Sequence, residues 1–436
     1  MDRVPFPIPG IPPRPRFATF RSLGHRNYRL YFFGQIVSFT GSWMQNAALM
    51  WLVFEATSDP LWPPLLLVAQ VAPTILFGPL GGALADRFPK RNVVYASQFA
   101  FLVSSMVIAA LVLSHSAVPW VLFAFNVCNG LIQAIDLPAR LALVPDLVPR
   151  HDLINAVSLN SLVFNGARAI GPALAGMLFL AAGGFAGPGY TPVQLGAIGC
   201  IVANALSYIA VLAALSRIRL DRPAGGNRET SSMLDGLRYL RSRPDLVALL
   251  LLTGGLCVFG WPSLTLFPAY TKLVLGLAEK EYTTLVSCLG AGALTAALVN
   301  ATFGTPRRSG TLLLGGSATA AVGLFALANV NTLVEAGAGG MLLGFGLILF
   351  LSTGQSRMQL SVPDAVRGRA MAFWAMTLSA SAPIGHIAAG AAAQRWPIPQ
   401  VVMVLGCGAC AVTAGVALGL RRNAVPVKPG RETDSP

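Results

Sequence analysis

Charge is what this sequence has least of. Of its 436 residues only 11% are Asp, Glu, Lys or Arg, and only 17 are acids. A soluble domain carries about 25% charged residues, so this chain could not cover a surface in water. Its solvent is mostly lipid. Mean hydropathy is +0.64 and 54% of the residues are hydrophobic. Histidine is as scarce, at four. No Ser/His/Asp or metal-ligand cluster is visible, which argues against an enzyme. All six cysteines lie inside apolar runs. Cys407 and Cys410 form a Cys-x-x-Cys, but in a Gly/Ala/Val segment without a redox-fold context, so they read as packing residues. Gly344-x-Gly346 sits in an apolar run and lacks the strand–turn–helix setting of a phosphate loop. No cofactor is expected.

What the chain does have is long apolar runs. A spanning helix needs about 20 mostly apolar residues, and twelve segments qualify: 29–54, 62–84, 92–114, 119–140, 153–181, 192–215, 246–270, 283–303, 311–330, 333–357, 370–393 and 398–420. Residues 1–27 are Pro- and Arg-rich with no cleavable signal, so the first run is read as a retained membrane helix. An even count puts both termini on one side, and the positive-inside rule makes that side cytoplasmic. With that orientation 27 of the 31 Lys and Arg fall inside; Lys272, Lys280 and Arg395 fall outside, and Arg168 falls within the membrane. The net charge of +14 is therefore spread over short loops. It points to anionic headgroups rather than nucleic acid.

The expected organisation is a cytoplasmic arm (1–28), a six-helix bundle (29–215), a cytoplasmic linker (216–245), a second six-helix bundle (246–420) and a cytoplasmic tail (421–436). In the linker Met233, Leu234, Leu237 and Leu240 share a helical face, which suggests a short amphipathic helix at the interface. The halves repeat. Gly130-Leu131-Ile132 with Val144-Pro145-Asp146 recurs as Gly346-Leu347-Ile348 with Val362-Pro363-Asp364.

The loop between the second and third runs reads Gly81-Gly82-Ala83-Leu84-Ala85-Asp86-Arg87-Phe88-Pro89-Lys90-Arg91. Gly78, Gly81 and Gly82 let two backbones approach closely. The order resembles the signature loop of the major facilitator superfamily, with Pro89 where that family usually has Gly. Thr305-Pro306-Arg307-Arg308 looks like a worn copy of it. The segments 20–29, 41–46, Asp136-Leu137-Pro138-Ala139-Arg140, 163–176 and Arg367-Gly368-Arg369 are similar to the bacterial branch that holds the enterobactin exporter and related secretion and efflux permeases. The resemblance implies an all-α membrane fold of two six-helix halves, an alternating-access cycle and export of a small molecule.

Several residues are candidates for the chemistry. Asn126, Asn129, Gln133, Asp136 and Arg140 form one polar face of the fourth helix at spacings of three and four. Gln35, Ser38, Ser42 and Gln45 do the same on the first, and Ser352, Gln355 or Ser356, and Gln359 on the tenth. The resemblance places these helices around a substrate cavity; interhelical hydrogen bonding is the alternative. Arg168 stands deep in the fifth helix with Asn165 and Pro172 on its face, and should meet a cavity or a partner. It suits an anionic substrate; a structural pair is the alternative. Gly166, Gly171, Pro172 and Gly176 resemble the helix-5 motif of superfamily antiporters. Gly82, Asp86, Arg87, Lys90 and Arg91 are read as a conformational latch, with Arg87 or Arg91 reaching Asp136. No carboxylate lies at mid-membrane, so Asp136 and His386 are the candidates for proton coupling. The expected activity is export of a small organic molecule, such as a siderophore or secondary metabolite, by proton antiport from a monomer in the inner membrane. A multidrug efflux pump is the alternative. A lipid transporter, a nutrient importer and a non-transporting sensor come behind.

Overall fold

The computed structural model describes residues 18–185, 189–218, 238–303 and 308–422. These residues are almost wholly helical. In chain order they form α1 (Arg26–Thr57), α2 (Trp62–Arg87), α3 (Lys90–Leu113), α4 (Pro119–Leu147), α5 (Leu153–Gly183) and α6 (Pro192–Arg217). Then come α7 (Pro244–Val274), α8 (Glu279–Phe303), α9 (Ser309–Asn329), α10 (Leu333–Ser361), α11 (Asp364–Ala393) and α12 (Ile398–Arg422). Ten of them are long and apolar enough to cross a membrane. α1 and α11 fall short on that measure, so twelve crossings remain an expectation for these two. Proline opens α4, α6 and α7, where its fixed φ suits the first turn and its missing N–H costs nothing.

Helices outrun the apolar stretches that announced them. α4 continues past Pro138 and Pro145 to Leu147, which leaves Asp136 well inside the helix rather than near its end. α10 runs on to Ser361. Hydropathy cannot see such polar ends, because helix continuation depends on backbone hydrogen bonds rather than on lipid contact. α7 breaks midway. It is regular to Phe259, resumes at Pro262–Ala269 and closes with a π turn at Tyr270–Val274. Pro262 withholds a donor and its ring clashes with the preceding turn, which accounts for the interruption.

α1 to α6 pack on one another, chiefly α2 on α4, α1 on α5 and α6, and α3 on α6. α7 to α12 form a second bundle, with α10 against α8 and α9 and α7 against α11 and α12. Residues 219–237, including Met233, Leu234 and Leu237 of the expected interfacial helix, lie outside the described residues. Leu240, placed on that helix by the sequence, is instead 2% exposed in the core of the second bundle. The Asp86 side chain also lies outside the described residues. Of the three glycines before it, Gly81 makes the close approach, against the Ala134 carbonyl of α4, while nothing crowds Gly78.

The two bundles meet along α5 against α8 and α2 against α11. The end where α1 begins and α12 finishes is here called proximal, the other distal. Distal contacts tie the halves. Lys272 Nζ donates to Glu55 at 2.7 Å, and Gln394 Nε2 donates to Asp59 at 2.9 Å. Trp51 stacks on Tyr282 at 5.3 Å between ring centroids. Further in, Gly290 of α8 lies on the α5 backbone, where a Cβ would reach 2.6 Å from the Arg168 carbonyl oxygen and strike Ala169. Backbone cannot yield as a side chain can, so Gly290→Val should force α5 and α8 apart. In a background with the six native cysteines replaced, Thr283→Cys, at a seam position 1% exposed, should react with maleimide several-fold faster with Gly290→Val than with the glycine parent. Equal rates would show that the seam tolerates the branch.

At the proximal end the 3₁₀ turn Ala18–Gly24 is clamped to the start of α5. Asp152 is 3% exposed and takes Arg21, His25 at 2.8 Å and His151 at 3.4 Å. The Ser22 hydroxyl donates to the Asp152 carbonyl at 3.0 Å, and the Tyr28 hydroxyl to that of Ala156 at 2.7 Å. Burial pushes the Asp152 carboxyl up, but the His25 and Arg21 hydrogen bonds and the neighbouring positive charge leave it below the ordinary carboxylate value. A depressed carboxylate stabilises the fold above its unfolded pKa, about 3.9, and that gain is lost as pH falls through the depressed value. Asp152→Asn should therefore melt lower than wild type at pH 7, by about 1.5–3 kcal/mol. The difference should shrink toward pH 3. A gap that stays constant with pH would contradict this account.

Candidate functional site

Arg168 stands fifteen residues into α5, roughly 22 Å along it at 1.5 Å per residue. It is 7% exposed. Three aromatic rings surround its guanidinium carbon: Trp261 at 4.7 Å, Trp43 at 4.9 Å and Phe164 at 5.5 Å from the ring centroids. Nε and Nη1 have no hydrogen-bond partner among the described residues. Phe164 is one turn before Arg168 on α5 and meets Trp43 edge-on at 6.0 Å. Trp43 sits midway along α1. Trp261 stands at the break of α7, so the box is built from both halves of the molecule.

Magnitudes show why this charge can be buried without an acid. An Arg at mid-membrane costs at least about 2.5–3.5 kcal/mol on insertion scales. A desolvated cation–π contact returns about 2 kcal/mol. Three rings therefore offset the cost and leave the positive charge uncancelled. The sequence pointed to Arg168 but not to its box. The available signals were Phe164 four residues before Arg168 and Trp261 beside the α7-breaking Pro262.

The second polar centre lies wholly inside the first bundle. Asp136 is 1% exposed and takes Arg140 Nε at 3.0 Å and Gln98 Nε2 at 3.1 Å. Arg140 also donates to Gln35 Oε1 and lies 5.3 Å over the Phe39 ring. Gln35 Nε2 and Gln98 Oε1 have no partner among the described residues. Asp136 thus pairs one turn along its own helix rather than with Arg87 or Arg91. The latch residues are engaged elsewhere in their own half: Lys90 Nζ pairs with Asp146 at 2.9 Å, and Arg91 Nη1 donates to the Ile218 carbonyl at 2.7 Å. Arg87 is exposed. Gly82 is half-buried, and a Cβ there would meet only Pro138, at 4.0 Å.

The polar stripe of α1 also turns inward. Gln45 Oε1 accepts from Ser105 at 3.1 Å and from Asn204 Nδ2 at 2.9 Å. Ser42 donates to the Ser38 carbonyl at 2.9 Å and reaches Asn204 at 3.5 Å. Ser38 is itself 2% exposed. These side chains bind α1 to α3 and α6, which is the interhelical alternative rather than a cavity wall. Spacing identifies a shared face but not the neighbour that face meets. Asn126 and Asn129 donate to the Leu122 and Phe125 carbonyls of their own helix. Gln133 is half-buried, and Gln355 and Gln359 are exposed. The Asn165 side chain lies outside the described residues. His386 is 3% exposed, with Nδ1 2.9 Å from the Thr265 hydroxyl.

Of the helix-5 motif, Gly171 lies against Trp43 and the Thr40 carbonyl, and Gly176 against Thr283 across the seam. Pro172 is buried and nothing crowds Gly166. Gly171 thus holds α1 close enough for Trp43 to reach Arg168.

The family profile of transmembrane secretion effectors matches residues 17–435. The chain belongs to that family of the major facilitator superfamily. It is similar to the enterobactin exporter of Shigella boydii serotype 18, at 25% identity over 80% of this chain and 81% of that one. It is also similar to the staphyloferrin A transporter of Staphylococcus aureus, at 26% identity over 34% of this chain. That match spans 38% of the transporter's own length. The macrolide efflux protein A of Streptococcus pyogenes is 24% identical over 56% of this chain and 59% of that protein. Among solved structures, a bacterial homologue of the human lysosomal transporter Spinster, inward-facing and unoccupied, superposes with a TM-score of 0.71. It is 14% identical, over 91% of this chain and 97% of that one. The protein is a membrane transporter of the major facilitator type, and its relatives are transporters rather than enzymes.

Removing one partner of a buried pair is costly because the other charge stays behind. Asp136→Leu should therefore lower stability by about 3–5 kcal/mol. Asp136→Leu combined with Arg140→Met should recover most of that loss. Melting of the three purified proteins checks this; a double variant no better than the single one would mean that the pair is not what stabilises the site.

Proposed function

We propose that the protein exports a small organic anion by proton antiport, with both termini in the cytoplasm of a bacterial inner membrane. The observation that carries the reading is Arg168: a buried cation with two donors unpartnered among the described residues, held by rings from both halves. An Arg fork binds carboxylate or catecholate oxygens through paired N–H groups. A site shared between the halves at mid-depth, beside a broken helix, is where an alternating-access carrier presents cargo to either side. Kinship to siderophore exporters favours a siderophore or another secreted metabolite as that cargo.

Asp136 is the carboxylate proposed to change protonation. It is sealed from solvent, and among the described residues its neighbours Gln35 and Gln98 keep a donor and an acceptor unused, so a rearranged hydrogen-bond set is available to a protonated Asp136. His386 is the weaker candidate, since its ring is tied to Thr265. Asp86, Arg87, Lys90 and Arg91 form the proposed cytoplasmic latch: in the distally closed state Lys90 and Arg91 rest on their own half, and closure of the cytoplasmic side would recruit them across the seam. Multidrug efflux is the second reading, favoured by the kinship to a macrolide efflux protein; a box without a carboxylate suits cationic drugs poorly.

A deletion strain restored with wild type or Arg168→Gln, grown with and without iron, tests the reading through untargeted mass spectrometry of cells and medium. One anionic compound should build up inside the deletion strain, and its release should return with wild type and drop at least ten-fold with Arg168→Gln. Efflux of the same compound at wild-type rate through Arg168→Gln would refute the anchor. Redistribution of cationic drugs alone would favour the second reading.

A further inference from the structure

The internal repeat sets Arg140 and Arg357 in corresponding places. The repeated Gly-Leu-Ile and Val-Pro-Asp motifs lie 216 and 218 residues apart, and the two arginines lie 217 apart between them. Their surroundings have diverged. Arg140 is enclosed by Asp136 and Gln35. At the position that matches Asp136 stands Thr353, and Leu252 of α7 lies beside Arg357. Thr353 is turned away, donating to Asn300 Oδ1 of α8 at 2.9 Å. Arg357 has no hydrogen-bond or ion-pair partner among the described residues.

In place of those partners is an open hollow between the proximal ends of α7, α9 and α10. Arg357, Asp245 and Gly310 stand at it; Leu249, Leu252 and Leu313, each no more than 5% exposed, form its floor, and Leu314 forms its outer rim. Asp245 does not neutralise Arg357 alone, because Arg243 already grips both of its oxygens, at 3.0 and 2.9 Å. Among the described residues the local balance is therefore two arginines to one acid, beside the exposed Leu314. Leu314 is 38% exposed, so the hollow communicates with the outer face of the bundle.

We propose that this hollow is a binding site for an anionic phospholipid, its phosphate on Arg357 and the start of one acyl chain over the exposed Leu314 at the rim. A planar guanidinium pairs with two phosphate oxygens at once, and basic pockets between helix ends are where membrane proteins take acidic headgroups. The first bundle fills the equivalent place with its own Asp136 and Gln35. The second uses a lipid, so that bilayer composition acts on one half of the transporter.

Thermal-shift titration of the purified full chain in detergent tests this, using dioleoyl phosphatidylglycerol, dioleoyl phosphatidylcholine and inorganic phosphate as probes. Phosphatidylglycerol should raise the melting temperature saturably, with apparent affinity at least about ten-fold tighter than either other probe, the scale of one charge-assisted hydrogen bond. Arg357→Gln should remove that preference. Thr353→Asp, which restores the acid one turn before the arginine as in the first bundle, should weaken it while keeping Arg357. Arg357→Lys should keep part of it. Phosphatidylglycerol binding unchanged in Arg357→Gln would overturn the site. Equal binding of the two lipids would overturn recognition of the headgroup, and phosphate binding as tightly as phosphatidylglycerol would overturn a lipid as occupant. The comparison of probes on wild type decides the last two even where a variant fails to fold.

Discussion

A guanidinium buried at mid-membrane must be compensated, and the way this protein compensates Arg168 constrains much else. Rings stabilise the cation without cancelling it, so the site keeps a net positive charge. Two of those rings come from opposite halves, and their placement depends on close helix approach: Gly171 admits α1, Gly290 admits α8 to the α5 backbone, and the break before Pro262 presents Trp261. Any motion that opens the seam between the halves must take Trp261 away from Arg168. The energy of the buried charge is thereby tied to the relative position of the two bundles, which is the kind of link an alternating-access carrier needs.

The halves are related by sequence but differ in how they handle polarity. The first bundle carries an internal network that runs from Asp136 and Arg140 through Gln35 and Gln98, and a second through Gln45, Ser105 and Asn204. In lipid such groups must find partners within the protein. The second bundle is packed more plainly, with one large apolar cluster that reaches across to Trp51 and Phe54 of α1. Near the corresponding depth it offers only isolated bonds among the described residues, such as Thr353 to Asn300 and His386 to Thr265. The proton-coupling proposal therefore rests on the first bundle alone.

Much of the architecture was legible because lipid imposes a simple rule on sequence: apolar runs of spanning length separated by short basic loops. Helix ends were less so, since the polar tails of α4 and α10 continue on backbone hydrogen bonds that hydropathy does not register. At the candidate site, Arg168 was visible as a charge out of place. Its aromatic partners were not, because Trp43 and Trp261 are ordinary residues in a membrane helix until the fold brings them to one point. The polar spacing on α1 named the right face and left its neighbour open; the structure turns Ser42 and Gln45 toward α3 and α6. The partner of Asp136 was misassigned for a related reason: the apolar run ended at Arg140, which made a helix-end carboxylate of a group that sits inside α4, one turn from its arginine.

The central claim is that the two bundles move as bodies about a seam that holds Arg168. Double electron–electron resonance tests it most directly, with one spin-label pair at the distal end on Asp59→Cys and Gln394→Cys and another at the proximal end on Arg87→Cys and Leu360→Cys. Each pair should show two distance populations, with a shift of pH lengthening one pair as it shortens the other. A single distance at both ends that no pH shift changes, in protein shown to transport, would contradict the claim.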